Sequence, residues 1–182
     1  MKSNFVDSID GVRILPVKSF PDERGRFIKF DSTFNFQDSL SSIALSFNPT
    51  KGTLRGMHFQ IEPFAEEKLV ACVQGSILDV IIDLRPDSRT LGKWTSIEVS
   101  AREMTQIYIP KGLAHGFQTL EADSIVHYEL SSTYSEEYSF AINPLEGINI
   151  NWPLKPVLVS VKDSNGMDIS SAKDRYAESI KN

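Results

Sequence analysis

The sequence predicts an all-β domain, a jelly roll or double-stranded β-helix with a short C-terminal helix, on three observations. Apolar and polar residues alternate over short runs along most of the chain, the pattern of half-buried strands. Gly, Pro, Asp and Asn break these runs: Pro21-Asp22 precedes Glu23-Arg24-Gly25, and Asn48-Pro49, Pro86-Asp87-Ser88 and Asn143-Pro144 follow the same logic. Two glycine-bounded motifs, Lys51 to Gly75 and Ile109 to Phe117, form a pair, and this favours the jelly roll over a plain sandwich or closed barrel.

In chain order, Val12–Val17 has the alternation of an edge strand that needs a partner. Gly25–Phe30 follows the Asp22 turn, and Ser42–Phe47 stops at Asn48-Pro49. Thr53–Gln60 puts His58 and Gln60 on one face, because side chains alternate along a strand. Lys68–Gln74 likewise aligns Lys68, Val70 and Cys72, a charged head beside apolar neighbours. Ile77–Leu84 runs into the Pro86 turn, and Trp94–Val99 and Thr105–Ile109 follow, the latter closed by Pro110. Gly116–Leu120 and Ile125–Leu130 complete the set; in the last, His127 and Tyr128 point to opposite faces, so only one can line a cavity. Helical pattern is confined to a turn or two over Phe34–Leu40 and to Ser170–Ile180, with Ser170 or Ser171 as its N-cap.

A chain of 182 residues suits one domain, here residues 1–182. A formal net charge of -5 argues against a nucleic-acid binder, which needs a basic face to displace counterions. One cysteine, Cys72, excludes an intramolecular disulfide and, among Val70, Ala71 and Val73, reads as a buried structural thiol. The N-terminus has no apolar signal core and no segment has the length of a membrane span, so the expectation is a cytoplasmic protein without membrane or nucleic-acid partners.

The paired motifs carry the chemistry. A metal-binding cupin offers His-x-His, then Glu, six residues and Gly, and later Pro-x-Gly-x-x-His. Here Pro110, Gly112 and His115 satisfy the second motif. In the first, His58 is present, but Gln60 stands at the second histidine and Lys68 at the glutamate. An ammonium in place of a carboxylate repels a divalent cation, so the expectation is a site without metal or other cofactor.

Singly, these residues have plain structural explanations: a core histidine at His58, a loop-capping His115, a solvated Lys68 after Glu66-Glu67, core tyrosines at Tyr128 and Tyr134, a turn residue at Asp163. Together, two histidines, a lysine, a tyrosine and an acid supply a base, an acid and a charge stabiliser. That is an inventory for proton transfer at carbon beside a ketone. Lys68 and His115 would stabilise the enolate oxygen, His58 would take the proton if a carboxylate orients its other nitrogen, and a tyrosine across the cavity would return a proton.

The chain resembles the dTDP-4-dehydrorhamnose 3,5-epimerase family, within the cupin superfamily. The resemblance lies in Asp22-Glu23-Arg24-Gly25 with Phe27, Lys51 through Gln60, Lys68-Leu69-Val70 with Gln74-Gly75, Asp79-Val80 and Asp83-Leu84-Arg85. It continues through Gly92-Lys93-Trp94, Ile109 through Phe117, Tyr128, Tyr134, Trp152-Pro153 and Ser160-Val161-Lys162-Asp163. It implies a cofactor-independent epimerase of a nucleotide-linked 4-keto-6-deoxy sugar, with His58 and Asp163 as base dyad, Tyr128 as general acid, and Lys68 and His115 around the sugar carbonyl. It further implies Arg24 and Arg55 on the diphosphate, Phe27 and Tyr134 against base or sugar, Gln60 and Glu137 as further binding positions, and a homodimer exchanging an N-terminal strand.

Arg55 and His58 have opposite strand parity, so both face the cavity only if Gly56 sits in a bulge. The chain departs from the family at Lys29, where Glu is usual, and at Ile43 and Leu45, aligned with nucleotide-contacting Gln and Asn. These exchanges move the question from the reaction to the ligand. The alternatives are a sugar-nucleotide 3,4-ketoisomerase, a catalytically silent sugar-nucleotide-binding cupin, and a metal-dependent cupin oxygenase.

Overall fold

Inward alternation from two sets of strands builds two facing antiparallel sheets in the computed structural model, which describes residues 4–5, 8–30, 36 and 40–181. The larger sheet holds, in spatial order, β1 (Asn4–Phe5), β2 (Arg13–Pro16), β10 (Thr105–Ile109), β7 (Lys68–Gln74), β12 (Ser124–Leu130) and β5 (Ser42–Asn48). The smaller holds β13 (Ser139–Ala141), β6 (Leu54–Gln60), β11 (Leu113–Thr119), β8 (Ser76–Asp83) and β9 (Trp94–Ser100). A separate hairpin pairs β3 (Lys18–Asp22) with β4 (Gly25–Lys29), and the helices are α1 (Val161–Ser164) and α2 (Ile169–Ser179).

One end of the space between the sheets is filled and the other is open. Val70, Cys72, Ile107 and Val126 of the larger sheet meet Ile77, Ile81, Val99 and Phe117 of the smaller in a continuous buried cluster. Burying a side chain of this size contributes roughly 1.5–3 kcal/mol, so this half is the rigid foundation of the barrel. Burial raises the Cys72 thiol to about 11, and Sγ donates to the Gln74 carbonyl at 3.1 Å, in keeping with an inert structural residue. The outer face of the smaller sheet, with Met57, Phe59, Val80, Ile82 and Ala114, is covered by Ala172 and Tyr176 of α2.

All ten expected strands form, with ends shifted by a few residues at most. Three more are present: β1, β3 and β13, which are short or exposed and so carry little apolar alternation. The C-terminal helix is capped by Asp168, not by Ser170 or Ser171, because its carboxylate accepts the Ser171 amide at 2.9 Å. Of the turn expected over Phe34–Leu40, only Phe36 and Leu40 are among the described residues. Asp163, read singly as a turn residue, belongs to the unanticipated helix α1.

The Gly56 bulge is real. His115 pairs with His58 and Phe117 with Arg55, so Gly56 and Met57 together oppose Gly116. Gly56 has φ +111°, and a Cβ there would lie 2.6 Å from Gly116 Cα and 2.7 Å from the His115 carbonyl. A bare backbone on both strands is what lets Arg55 and His58 turn to the same side.

Candidate active site

The open end of the barrel is a cavity of about 660 Å³, within the range of small-molecule sites. Arg55, His58 and Gln60 from β6, Lys68 from β7, His115 from β11 and Tyr128 from β12 line it, with Tyr134 and the α1 segment at Ser160, Lys162 and Asp163. Sheet parity therefore brings residues far apart in sequence onto one enclosed surface.

His58 Nε2 lies 2.6 Å from Asp163 Oδ1. The Ser160 hydroxyl caps α1 by accepting the Asp163 amide at 3.1 Å, and the second carboxylate oxygen accepts the Gly56 amide at 3.2 Å. Burial pushes this carboxyl up, but the His58 ring and the Gly56 amide outweigh burial and hold it below its ordinary value. Asp163 is thus an anion at neutral pH and accepts a hydrogen bond from Nε2–H, so that in the neutral imidazole the lone pair lies on Nδ1. His58 is 43% exposed while Asp163 is 3% exposed, so the base opens to the cavity and its orienting acid does not.

A second dyad lies deeper: His115 Nε2 is 2.6 Å from Asp79 Oδ1, with both side chains buried. Sequence reasoning quoted Asp79 only as a motif residue. The signal was present, since Asp79 alternates with Ile77 and Ile81 on the inward face of β8, where an acid needs a partner. Tyr128 stands edge-on to the His115 ring, centroids 6.1 Å apart. Burial first, then the Asp79 charge, raises its hydroxyl far above the ordinary tyrosine value, against a smaller pull from Arg55. It stays a proton donor. Lys68 is buried, its Nζ 3.3 Å from Glu66 Oε1.

The binding residues divide. Arg55 lines the cavity, its Nε donating to Asn48 Oδ1 at 2.7 Å. Tyr134 stands at the mouth, 69% exposed, with Lys162 Nζ 5.8 Å from its ring centre. Lys162, another motif residue given no role from sequence, adds a cation to the cavity wall. Gln60 lines the cavity, but its amide is consumed: it donates to the Phe64 and Thr133 carbonyls and accepts the Ser135 amide. It organises the loop that carries Tyr134.

Arg24, Phe27 and Glu137 do not line this cavity. Arg24 closes the β3–β4 turn on Asp22 at 2.6 Å, and Phe27 leans on Phe20, 68% exposed, because the hairpin pairs with no other strand among the described residues. Glu137 is an exposed residue beyond the Tyr134 loop, and Ser139 lines the wall instead. Ile43 and Leu45 point away from the cavity, and Ala44 and Ser46 of the same strand line it. Apolar exchange at the first pair leaves this wall unchanged.

The model of the dTDP-4-dehydrorhamnose 3,5-epimerase family matches residues 7–180. The chain belongs to this family. A dTDP-4-dehydrorhamnose 3,5-epimerase of Sinorhizobium fredii is 38% identical over 165 residues, covering 87% of this chain and 85% of its own. A dTDP-4-dehydrorhamnose 3-epimerase of Streptomyces niveus is 29% identical, covering 91% and 83%. The solved dTDP-6-deoxy-D-glucose-3,5-epimerase of Legionella pneumophila, in complex with dTDP-4-keto-L-rhamnose, superposes with a TM-score of 0.86 at 32% identity, covering 93% of each chain. As a member of the dTDP-4-dehydrorhamnose 3,5-epimerase family the chain is an isomerase with a cupin-type jelly roll.

Proposed function

We propose that the chain, as one catalytic domain, epimerises a dTDP-linked 4-keto-6-deoxy sugar by removing and returning protons at carbons beside the ketone. The observation that carries this is the His58–Asp163 dyad opening onto a cavity that also holds Tyr128 and the Lys68 ammonium. His58 Nδ1 takes the proton, and Asp163 stabilises the imidazolium that results. Charge then grows on the carbonyl oxygen, where Lys68 stabilises it, and His115, held by Asp79, offers its remaining nitrogen to the same end of the sugar. Tyr128 comes from the opposite sheet and protonates the other face of the carbanion. Arg55 and Lys162 match the diphosphate, and Tyr134 offers the base a flat apolar surface.

Incubation with dTDP-4-keto-6-deoxyglucose in D₂O should place deuterium at C3, at C5, or at both, with the carbonyl still at C4. No exchange sinks the reading, and a carbonyl moved to C3 makes the chain a ketoisomerase. The Streptomyces niveus relative, a 3-epimerase, makes the position of the label informative. In Tyr128→Phe the base is intact but the donor is gone. Exchange at carbon should persist while inverted product falls about 10²- to 10⁴-fold, read by NMR of the recovered sugar.

The donor set argues for metal-free chemistry: the Gln60 amide is spent on backbone groups, and Lys68, paired with Glu66, stands where a carboxylate ligand would be needed. The exchange rate should therefore be the same before and after dialysis against a chelator, and a loss restored by one divalent metal would overturn this.

The same reading makes the protein a cytoplasmic homodimer. No helix among the described residues is long and apolar enough to cross a membrane. The hairpin holds Phe20 and Phe27 in solvent, and β5 exposes Ile43, Leu45 and Phe47 along one edge of the larger sheet. A second copy would cover this apolar surface and bring Arg24 and Phe27 to a neighbouring cavity.

A further inference from the structure

We propose that Glu66 is a positioning residue that fixes the Lys68 ammonium toward the sugar carbonyl; this rests on the epimerase reading. Glu66 and Asp163 are the two carboxylates that line the cavity among the described residues, and Asp163 is committed to His58. Glu66 Oε1 lies 3.3 Å from Lys68 Nζ, with the side chains 11% and 8% exposed. The pair is therefore shielded from the screening that makes surface ion pairs weak.

Glu66 is built to hold still. Its neighbour Glu67 is tied on both backbone groups, donating its amide to the Ser131 hydroxyl at 2.8 Å and accepting the Ser131 amide at 3.1 Å. The Glu67 carboxylate also accepts the Tyr108 hydroxyl, and Ala65 on the other side is buried. The carboxylate thus projects from an anchored link, whereas lysine carries its charge on a flexible four-carbon stem. Ordering that stem at the moment of reaction costs conformational entropy that a preformed contact removes in advance.

The separation matters too. At 3.3 Å the contact is looser than the roughly 2.8 Å of a tight charge-assisted hydrogen bond. An ammonium has three donors, and one loose partner leaves the others for the carbonyl oxygen. A buried ion pair contributes little to stability by itself, so fold maintenance is a poor account of a carboxylate here. Holding the electrophile in place is a better one.

The test is a double-mutant cycle read by deuterium incorporation into dTDP-4-keto-6-deoxyglucose and by the kcat and KM of the epimerisation. Glu66→Gln keeps the size and removes the charge; it should lower kcat about 10-fold and leave KM within about 3-fold, since coupled neighbours interact on this scale. In a Lys68→Met background, where no ammonium remains to be aimed, Glu66→Gln and Glu66→Ala should change the residual exchange less than about 2-fold. Circular dichroism of each variant establishes the fold. Equal fractional losses with and without Lys68, a wild-type kcat in Glu66→Gln, or a raised KM at unchanged kcat would each overturn the proposal. No exchange by the unsubstituted protein overturns the epimerase reading itself, and the two failures are thereby distinct.

Discussion

Replacing His58 by Gln should lower deuterium incorporation about 10²- to 10⁴-fold while leaving the folded protein nearly as stable as before. The glutamine amide nitrogen can occupy the place of Nε2 and donate to Asp163, so the buried carboxylate keeps a partner and is spared the roughly 1–3 kcal/mol of an orphaned polar group. What is lost is the lone pair at Nδ1. The side chain is 43% exposed, so little packing changes with it. Thermal unfolding followed beside the exchange rate separates the two effects. A fall in stability that tracks the fall in rate would assign His58 to structure, and a rate within a few-fold of the original would remove it as the base. Asp163→Asn gives the companion result: the folded carboxylate titrates below its ordinary value, so its stabilising contribution is full above about pH 4 and is lost as pH falls through the depressed value. The variant should show a flatter dependence of stability on acid pH.

The sequence made His58 and Tyr128 legible for different reasons. His58 sat in a motif whose other ligands had been exchanged, whereas parity said only that one of His127 and Tyr128 lines the cavity, and the choice of Tyr128 rested on the family resemblance. The structure places His127 against the Phe30 ring, away from the cavity, and Tyr128 toward His115. Asp79 was harder to assign because its role depends on which residue the neighbouring strand sets beside it. His115 pairs with Ile81 in the β8–β11 register, and only that register brings its ring over Asp79. Gln60 is the converse case: its place on the cavity wall was legible, but the backbone groups that saturate its amide come from residues 64, 133 and 135. Strand-end shifts and the Asp168 cap are local matters, decided by single hydrogen bonds that alternation does not report. Arg24 and Phe27 mark a further limit, since their hairpin pairs with no other strand among the described residues and alternation along a strand does not report which surface it faces.

Gly56→Ala should be severely damaging for so small a substitution, costing about 3–5 kcal/mol and removing activity at temperatures where the variant is still folded. Two costs add. The backbone at φ +111° is one that side-chain-bearing residues rarely adopt, and the new methyl would meet Gly116 Cα and the His115 carbonyl, which are backbone atoms that cannot rotate aside. β6 and β11 must therefore separate where both dyads are anchored, because the Gly56 amide donates to Asp163 and His115 follows directly on the opposing strand. Gly147→Ala is the control: it also has positive φ, at +72°, but nothing lies within 4 Å of its added methyl, so only the conformational cost of about 1 kcal/mol applies. Urea midpoints at a constant slope measure both. Should the two variants lose the same stability, the close approach of β6 and β11 does not govern the site. If Gly56→Ala loses more, yet its folded fraction turns over at the original rate, the bulge supports the barrel without aiming His58. The combination expected here, a larger loss of stability and a folded but inactive protein, follows only if one glycine sets both the strand spacing and the direction in which Arg55 and His58 point.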